Sequence, residues 1–537
     1  MEQPDTKTAI DGARATAPAS TWMAVAVPAV LLAGIGLRLY GLGLHPLWFD
    51  EAITWHISSS SNVVDALTSP GQHSEPPLIH ILVHPVRVLT GNPALLRLVP
   101  ALFGCLALVV WWGILKRWLS QTGTLVGMAL LSFSAFHLYY SQELRAYSVV
   151  FALGLLLLGV YLEWLRQGRL RVWHWVAMAI LEALIVYAHY LAALLPLALA
   201  VAVFVIPEYR RSLRPWLLAQ ALAVLLFLPW LVEVVRCVSI VHEASFVKDY
   251  NLLRDLAAPF VVLPLGKTII PNRAHSTFVL EQAAILLPGL VMVVLMIVGS
   301  VTMFRNKRRK QLFVLACCVI VPVLLLNLYS VLVYVNYNYI YVRYLMFVYP
   351  PCLLIALDYV DATRSSWRKR LALAGISVWI AVNAWGIGNY YWSDEYRKDS
   401  DFAAAVRLLE REAVPGELVG CSAIRVAYPL RCHVAESPEL RGNSVELLES
   451  FSEFPVFRAN LTNRASWHLD RVFEGRPESF WFVMYASWRS RREPGWGEMR
   501  DRWNGRIDRF VAQGKYVIAG RFSVRGLDFV HFVRKRD

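Results

Sequence analysis

Apolar residues in this chain come in runs of roughly 20, each long enough to cross ~30 Å of hydrocarbon as a helix, and the runs recur up to about Tyr391. Run length predicts about eleven membrane spans, near residues 22–40, 94–115, 122–140, 147–165, 173–189, 191–207, 216–235, 278–304, 312–334, 342–360 and 371–391. The first follows a polar leader, residues 1–20, and reaches Arg38 and Tyr40 without a small-residue cleavage signature, so it is expected to remain as a span. After Tyr391 the pattern changes. Asp401–Glu412 has helical periodicity, whereas Glu417–Ser422, Phe480–Ala486, Lys515–Phe522 and Asp528–Val533 alternate as strands, and a further helix is expected within Gly497–Gln513. The expected architecture is an all-α transmembrane bundle over residues 21–391, with a long loop at 41–93, followed by one soluble α/β domain at 392–537.

Composition agrees with the membrane class: 57% of the 537 residues are hydrophobic, 17% are charged and the mean hydropathy is +0.46. The net charge of +14 would suit a nucleic-acid partner, but the basic residues before Tyr391 sit in short clusters between apolar runs. Lys116–Arg117, Arg166–Arg171, Arg210–Arg214, Arg305–Lys310 and Arg364–Arg370 all fall on one side of the predicted bundle. The positive-inside rule makes that side, and the N-terminal tail, cytoplasmic. The loop Gly41–Pro93, the turn Gln142–Tyr147, the segment Arg236–Ser276 and the soluble domain are then extracytoplasmic. Five of the seven cysteines lie in or beside spans. Cys421 and Cys432 do not, and with a short strand-like segment between them in an oxidising compartment they are expected to form a disulfide.

Four polar clusters converge on the expected extracytoplasmic face. The first is His45-Pro46-Leu47-Trp48-Phe49-Asp50-Glu51-Ala52, with two adjacent carboxylates that suit either proton transfer or the start of a helix. The second, Gln72-His73-Ser74-Glu75-Pro76-Pro77-Leu78, holds polar residues ahead of a proline-stiffened turn, although Glu75 also reads as a solvated charge. The third, Tyr139-Tyr140-Ser141-Gln142-Glu143-Leu144-Arg145-Ala146-Tyr147, joins two spans with almost no loop. Ionisable groups at that depth are costly unless paired or wet, which marks a site or a structural Glu143–Arg145 pair. The fourth, Asn336–Tyr344, sets Arg343 among tyrosines that suit an interface belt, and its guanidinium can grip phosphate through paired hydrogen bonds. No nucleotide-binding fingerprint accompanies them, because Gly266-Lys267-Thr268 lacks the glycine-rich lead of a P-loop.

Trp48-Phe49-Asp50-Glu51, Glu75-Pro76-Pro77-Leu78, Leu96-Arg97-Leu98 and Ser141-Gln142-Glu143-Leu144-Arg145-Ala146-Tyr147, in this order, resemble the GT-C membrane glycosyltransferases. The branch in question includes the dolichyl-phosphate-mannose protein mannosyltransferases and the bacterial aminoarabinose transferase for lipid A. Arg343-Tyr344 and the Tyr396–Val419 stretch are similar to later family features. One departure stands out: the residue before Pro76-Pro77 is often basic or His in relatives, and here it is Glu75, so no phosphate contact carries over to it.

The resemblance implies a bacterial inner-membrane enzyme that inverts a sugar while moving it from a polyprenyl-phosphate donor to a protein, lipid A or cell-envelope glycan. Asp50 would be the general base, and Glu51 and Glu143 would orient the base or the acceptor. Arg145 and Arg343 would stabilise the leaving phosphate, and Glu75 would meet a metal or a donor-sugar hydroxyl. His73, Gln142, Tyr147 and Tyr344 complete the implied substrate site. Relatives differ in their use of a divalent metal ion, and no ligand spacing in this sequence decides the matter. The competing class is a transporter or flippase of lipid-linked saccharide, which would place ionisable residues near mid-bilayer and often repeat its halves.

Overall fold

The computed structural model describes residues 21–60, 62, 75–241, 252–266, 279–333, 339–393, 401–422, 424–440, 442–447, 477–485, 504–505, 507–508, 510–524 and 527–535. In chain order the helices of the first region are α1 (Thr21–Leu39), α2 (Phe49–Ile57), α3 (Leu78–Leu89), α4 (Pro93–Trp118), α5 (Gln121–Ser132), α6 (Ala135–Ser141), α7 (Tyr147–Gln167) and α8 (Val172–Ala188). They continue with α9 (Leu194–Val205), α10 (Leu213–Val241), α11 (Leu252–Leu265), α12 (Val279–Arg305), α13 (Arg309–Val333), α14 (Tyr349–Ala362) and α15 (Ser366–Trp392). Two 3₁₀ segments, Tyr190–Ala193 and Tyr339–Val348, lead into α9 and α14.

Every expected span has a helix. Among the described residues seven helices are long and apolar enough to cross a membrane unaided, and the bent pair α5–α6 makes an eighth. The remaining three, α1, α8 and Tyr190–Val205, are apolar but shorter. The protein is therefore a multi-pass membrane protein. Between α1 and α4 no described helix is long and apolar enough to cross a membrane unaided. The chain there forms the short α2 and the amphipathic α3, which buries Ile79, His80, Val83 and His84.

The two ends of the bundle differ in chemistry. At one end the basic turns meet acids: Lys310 pairs with Glu208, Arg308 with Asp358, and Asp361 accepts from the backbone and hydroxyl of Ser120. At the other, His45 Nε2 lies 3.0 Å from the Tyr390 carbonyl, and Gln142 reaches the end of α1. The described residues of the four clusters singled out in the sequence lie at this second end, together with the end of α15.

The break in the fifth and sixth helices shows how such a bundle tolerates irregular backbone. α5 and α6 meet at 53°, and a bend leaves carbonyls without helical partners where water is scarce. Arg38, fully buried at the end of α1, fills the bend. Its Nη1 donates to Gly34 O at 2.8 Å and Ser132 O at 2.9 Å, and its Nη2 donates to Leu131 O at 2.9 Å. Its Nε donates to His137 Nδ1 at 3.2 Å, a contact that requires the His137 proton on Nε2. Ser134 Oγ caps α6 by accepting from His137 N, and Asn383 of α15 accepts from Ala135 N at 2.8 Å.

The tail has α16 (Phe402–Glu412), β1 (Leu418–Cys421), α17 (Ile424–Glu436), β2 (Ser444–Leu447), β3 (Ser479–Tyr485), β4 (Tyr516–Val524) and β5 (Leu527–Arg534). The five strands form one sheet in the order β2-β1-β3-β5-β4, parallel across β2-β1-β3 and antiparallel across β3-β5-β4. Alternation splits its apolar residues into two layers. Val419, Trp481, Val483 and Phe529 pack with α16 and α17, while Phe480, Phe482, Phe510 and Phe532 pack on the other face. The expected first helix and four strands are present, and the described part of 497–513 is helical at its end. The strand-like reading of the segment after Cys421 is corrected: it is α17, whose burial repeats every four residues. That also corrects the expected disulfide. Neither Cys421 nor Cys432 is in one, because Cys421 faces the sheet core and Cys432 faces the bundle from the helix.

Replacing Arg38 by Met should preserve apolar volume but orphan the carbonyls of Leu131 and Ser132, at a cost of about 2–3 kcal/mol. Reversible unfolding in mixed micelles measures it; unchanged stability would remove Arg38 from this role.

Candidate active site

Four chain segments build the site, and each is placed by a local rule. α2 begins at Trp48, whose extended backbone (φ −93°, ψ 176°) breaks the chain direction. Asp50 and Glu51 therefore occupy the first helical turn, where unpaired N–H groups favour carboxylates. Pro77 ends the approach to α3 and leaves Glu75 just outside that helix. Arg145 projects from the tight turn between α6 and α7, in which its own N–H lies 2.6 Å from Glu143 O. Arg343 and Tyr344 lie on the 3₁₀ segment ahead of α14.

Glu51 does not face an opening. It is fully buried, and Arg97 grips both of its oxygens, Nε to Oε1 at 2.8 Å and Nη2 to Oε2 at 2.6 Å. Leu144 N donates to the same Oε1 at 2.8 Å. Arg97 also donates to the carbonyls of Leu42, His45 and Pro46, which fixes the chain leading into α2. Glu143 is fully buried behind this pair, within electrostatic reach of Arg97, Tyr139 and Tyr390. Gln142 is buried too, and its Nε2 donates to Leu37, Arg38 and Tyr40 carbonyls at 3.0, 3.0 and 2.7 Å, closing the end of α1. These three side chains brace the site.

In front of them lies a partly open cluster. Arg145 Nη1 donates to Asp50 O at 3.1 Å, Thr54 Oγ1 at 3.3 Å and Glu75 Oε2 at 2.7 Å. His80 Nε2 is 3.4 Å from the same Glu75 oxygen. Burial opposes ionisation of Glu75, but Arg145 and His80 outweigh it and hold the carboxyl at about 2. Arg343 Nη2 lies 3.4 Å from Asp50 Oδ2 and 3.2 Å from the Tyr344 hydroxyl. Its guanidinium carbon stands 5.3 Å from the Tyr147 ring and 5.1 Å from the Tyr344 ring, within cation–π range. Arg343 Nε is buried and has no hydrogen-bond partner among the described residues.

Asp50, Glu75, Arg145, Tyr147, Arg343 and Tyr344 thus form one cluster of two acids, two arginines and two phenols, and His73 lies outside the described residues. Sequence reasoning gave no role to Arg97 and overlooked His80 and His189. His189, at the junction of α8 and the 3₁₀ segment, packs on Tyr344 with centroids 4.5 Å apart. The signal that marked Arg145, an ionisable residue between spans with no loop, marks His189 equally. Among the described residues no group of three or more His, Cys, Asp or Glu is arranged to hold a metal ion.

No protein-family model and no curated protein matches the sequence. Solved structures do resemble the fold. ArnT from Cupriavidus metallidurans in the apo state aligns with TM-score 0.57 and 12% identity, over 96% of this chain and 98% of that one. ArnT bound to undecaprenyl phosphate gives 0.57 and 14% over the same shares. The oligosaccharyltransferase AglB from Archaeoglobus fulgidus, in complex with an inhibitory peptide and a dolichol-phosphate, gives 0.50 and 12% over 87% of this chain and 69% of that one. The chain has the GT-C fold.

The Glu75–Arg145 ion pair makes its own pH signature. Because folding lowers the Glu75 carboxyl from 4.5 to about 2, its stabilisation is complete above about pH 5 and disappears as pH falls toward 2. The stability gap between the unaltered protein and Glu75→Gln should therefore be constant from pH 5 to 7 and shrink on acidification. A gap independent of pH down to 3 would contradict the pairing.

Proposed function

We propose that this chain is an inverting glycosyltransferase that takes a sugar from a polyprenyl-phosphate carrier and passes it to an acceptor hydroxyl. The observation that carries this reading is the pairing of Asp50 with Arg343 beside Arg145, on a GT-C scaffold at the membrane boundary. The undecaprenyl phosphate in one similar structure and the dolichol-phosphate in another support the donor class.

Charge bookkeeping gives the pairing a chemical meaning. The donor is a phosphodiester with one negative charge, and the departing polyprenyl phosphate has two. As the acceptor oxygen bonds to the anomeric carbon, the bond from that carbon to the phosphate oxygen breaks, and the acceptor proton passes to Asp50. Negative charge leaves Asp50 as it appears on the phosphate. Arg343, which begins on Asp50, can follow it, and its unpartnered Nε offers a second donor for phosphate. Arg145 stays tied to Glu75 and the α2 backbone, which aims its remaining N–H groups. Glu51 and Glu143 act at one remove, by fixing α2 and the α6–α7 turn, and Gln142 does the same for α1. Glu75, expected to meet a metal or a donor-sugar hydroxyl, orients Arg145 in this reading.

A transporter would be expected to present ionisable groups along the bundle. Glu182, midway along α8, is instead tied by the Tyr161 hydroxyl at 3.1 Å and by Gln220 Nε2 at 2.8 Å, a bond between helices α7, α8 and α10. In the proposed setting the protein lies in a bacterial inner membrane, with the basic end of the bundle cytoplasmic and the site and tail outside. The acceptor is a protein, lipid or envelope glycan.

Two measurements test this. Purified protein in nanodiscs, given radiolabelled polyprenyl-phosphate sugars and envelope extract, should release free polyprenyl phosphate. Asp50→Asn should keep donor affinity yet lower release by about 100-fold or more, whereas Arg145→Ala should weaken donor binding as well. Near-normal turnover of Asp50→Asn would remove it as the base. For orientation, cysteine placed at the exposed Ser59 should react with an impermeant thiol reagent in intact cells; protection until lysis would invert the topology.

A further inference from the structure

We infer that the tail domain is part of the catalytic apparatus, because its helix α17 positions the segment that carries Asp50; this rests on the function proposed above. The helix has two working faces. Val426, Leu430 and Val434, four residues apart, lie in the core of the tail. Tyr428, Cys432 and Glu436, also four apart and on another face, point at the membrane region. Cys432 is buried within the hydrophobic core of the bundle, and Tyr428 packs against that core.

The second face grips α2 along its length. The Tyr428 ring meets Phe49 and His56 edge-on, at 6.4 and 5.2 Å between centroids. Cys432 Sγ lies 3.8 Å from Ala52 O, and His433 lies beside the Leu47 backbone. Glu436 rests on the turn between α3 and α4 so closely that a Cβ on Gly91 would fall 1.4 Å from its carboxylate. On its other side α2 is held by Arg97 through Glu51 and by Arg145 through the Asp50 carbonyl. Asp50 therefore projects from a helix clamped between the bundle and the tail. Releasing one jaw leaves the arginines in place but lets the carboxylate drift from the acceptor oxygen.

Tyr428 and Gly91 are thus positioning residues, and neither touches the acids or arginines of the site. In full-length protein, Tyr428→Ala and Gly91→Val should each lower kcat for sugar transfer by about tenfold, the scale of a sub-ångström misplacement. The Kd for polyprenyl phosphate and the fraction of molecules that bind it should stay within twofold. Tyr428→Phe, which keeps the ring, should restore kcat. A merely structural role would lower binding-competent protein and turnover together, and that result, or unchanged kcat in both variants, would overturn the inference. If the unaltered chain bound no polyprenyl phosphate and released none from any donor, the reading beneath it would fall instead.

Discussion

The buried ion pair between Glu51 and Arg97 is the contact on which the site depends. Two charges removed from water in this way repay their desolvation only when every remaining donor and acceptor is met. Here the guanidinium uses three backbone carbonyls besides the carboxylate, and the carboxylate also accepts from Leu144 N. The pair joins the start of α4, the approach to α2 and the turn before Arg145. Losing either partner would leave the other charged and unmet, a cost of about 3–5 kcal/mol. Asp50 and Arg145 are consequently presented from backbone that cannot shift independently.

With that frame rigid, the open cluster can be electrically balanced. Asp50 and Glu75 match Arg343 and Arg145, so these four charges balance. Neutrality at a membrane boundary lowers the cost of burying four charges, and in the proposed reaction an incoming phosphate would compete for the arginines. The two pairs differ in closeness. Glu75 holds Arg145 at 2.7 Å and is joined by His80, while Asp50 and Arg343 stand 3.4 Å apart. The looser pair is the one that the proposed chemistry must open.

Irregular backbone recurs wherever the bundle departs from simple crossing, and each departure is met by a polar side chain from a distant helix. Arg38 fills the α5–α6 bend, Gln142 closes α1, and Asn383 joins Ala135 to the Pro264 carbonyl. These residues resemble site residues in sequence because both kinds are polar and interrupt apolar runs. Gln142 and Glu143 show the ambiguity directly: they sit three and two positions from Arg145, and only the fold separates brace from cluster.

Sequence by itself determined the spans, the split between bundle and tail, and the face on which Asp50, Glu75, Arg145 and Arg343 gather. Those features are local or one-dimensional: a run of apolar residues has a length, strands alternate, and polar clusters between spans must lie at a membrane boundary. Tertiary structure alone decided that Glu51 belongs to Arg97, that His189 and His80 line the cluster, and that the segment after Cys421 is a helix clasping α2. Each depends on which residues, tens to hundreds of positions apart, share a few ångströms. Hydropathy cannot show that a buried carboxylate has found its guanidinium, nor that a four-residue stripe on a tail helix faces the bundle and not the solvent.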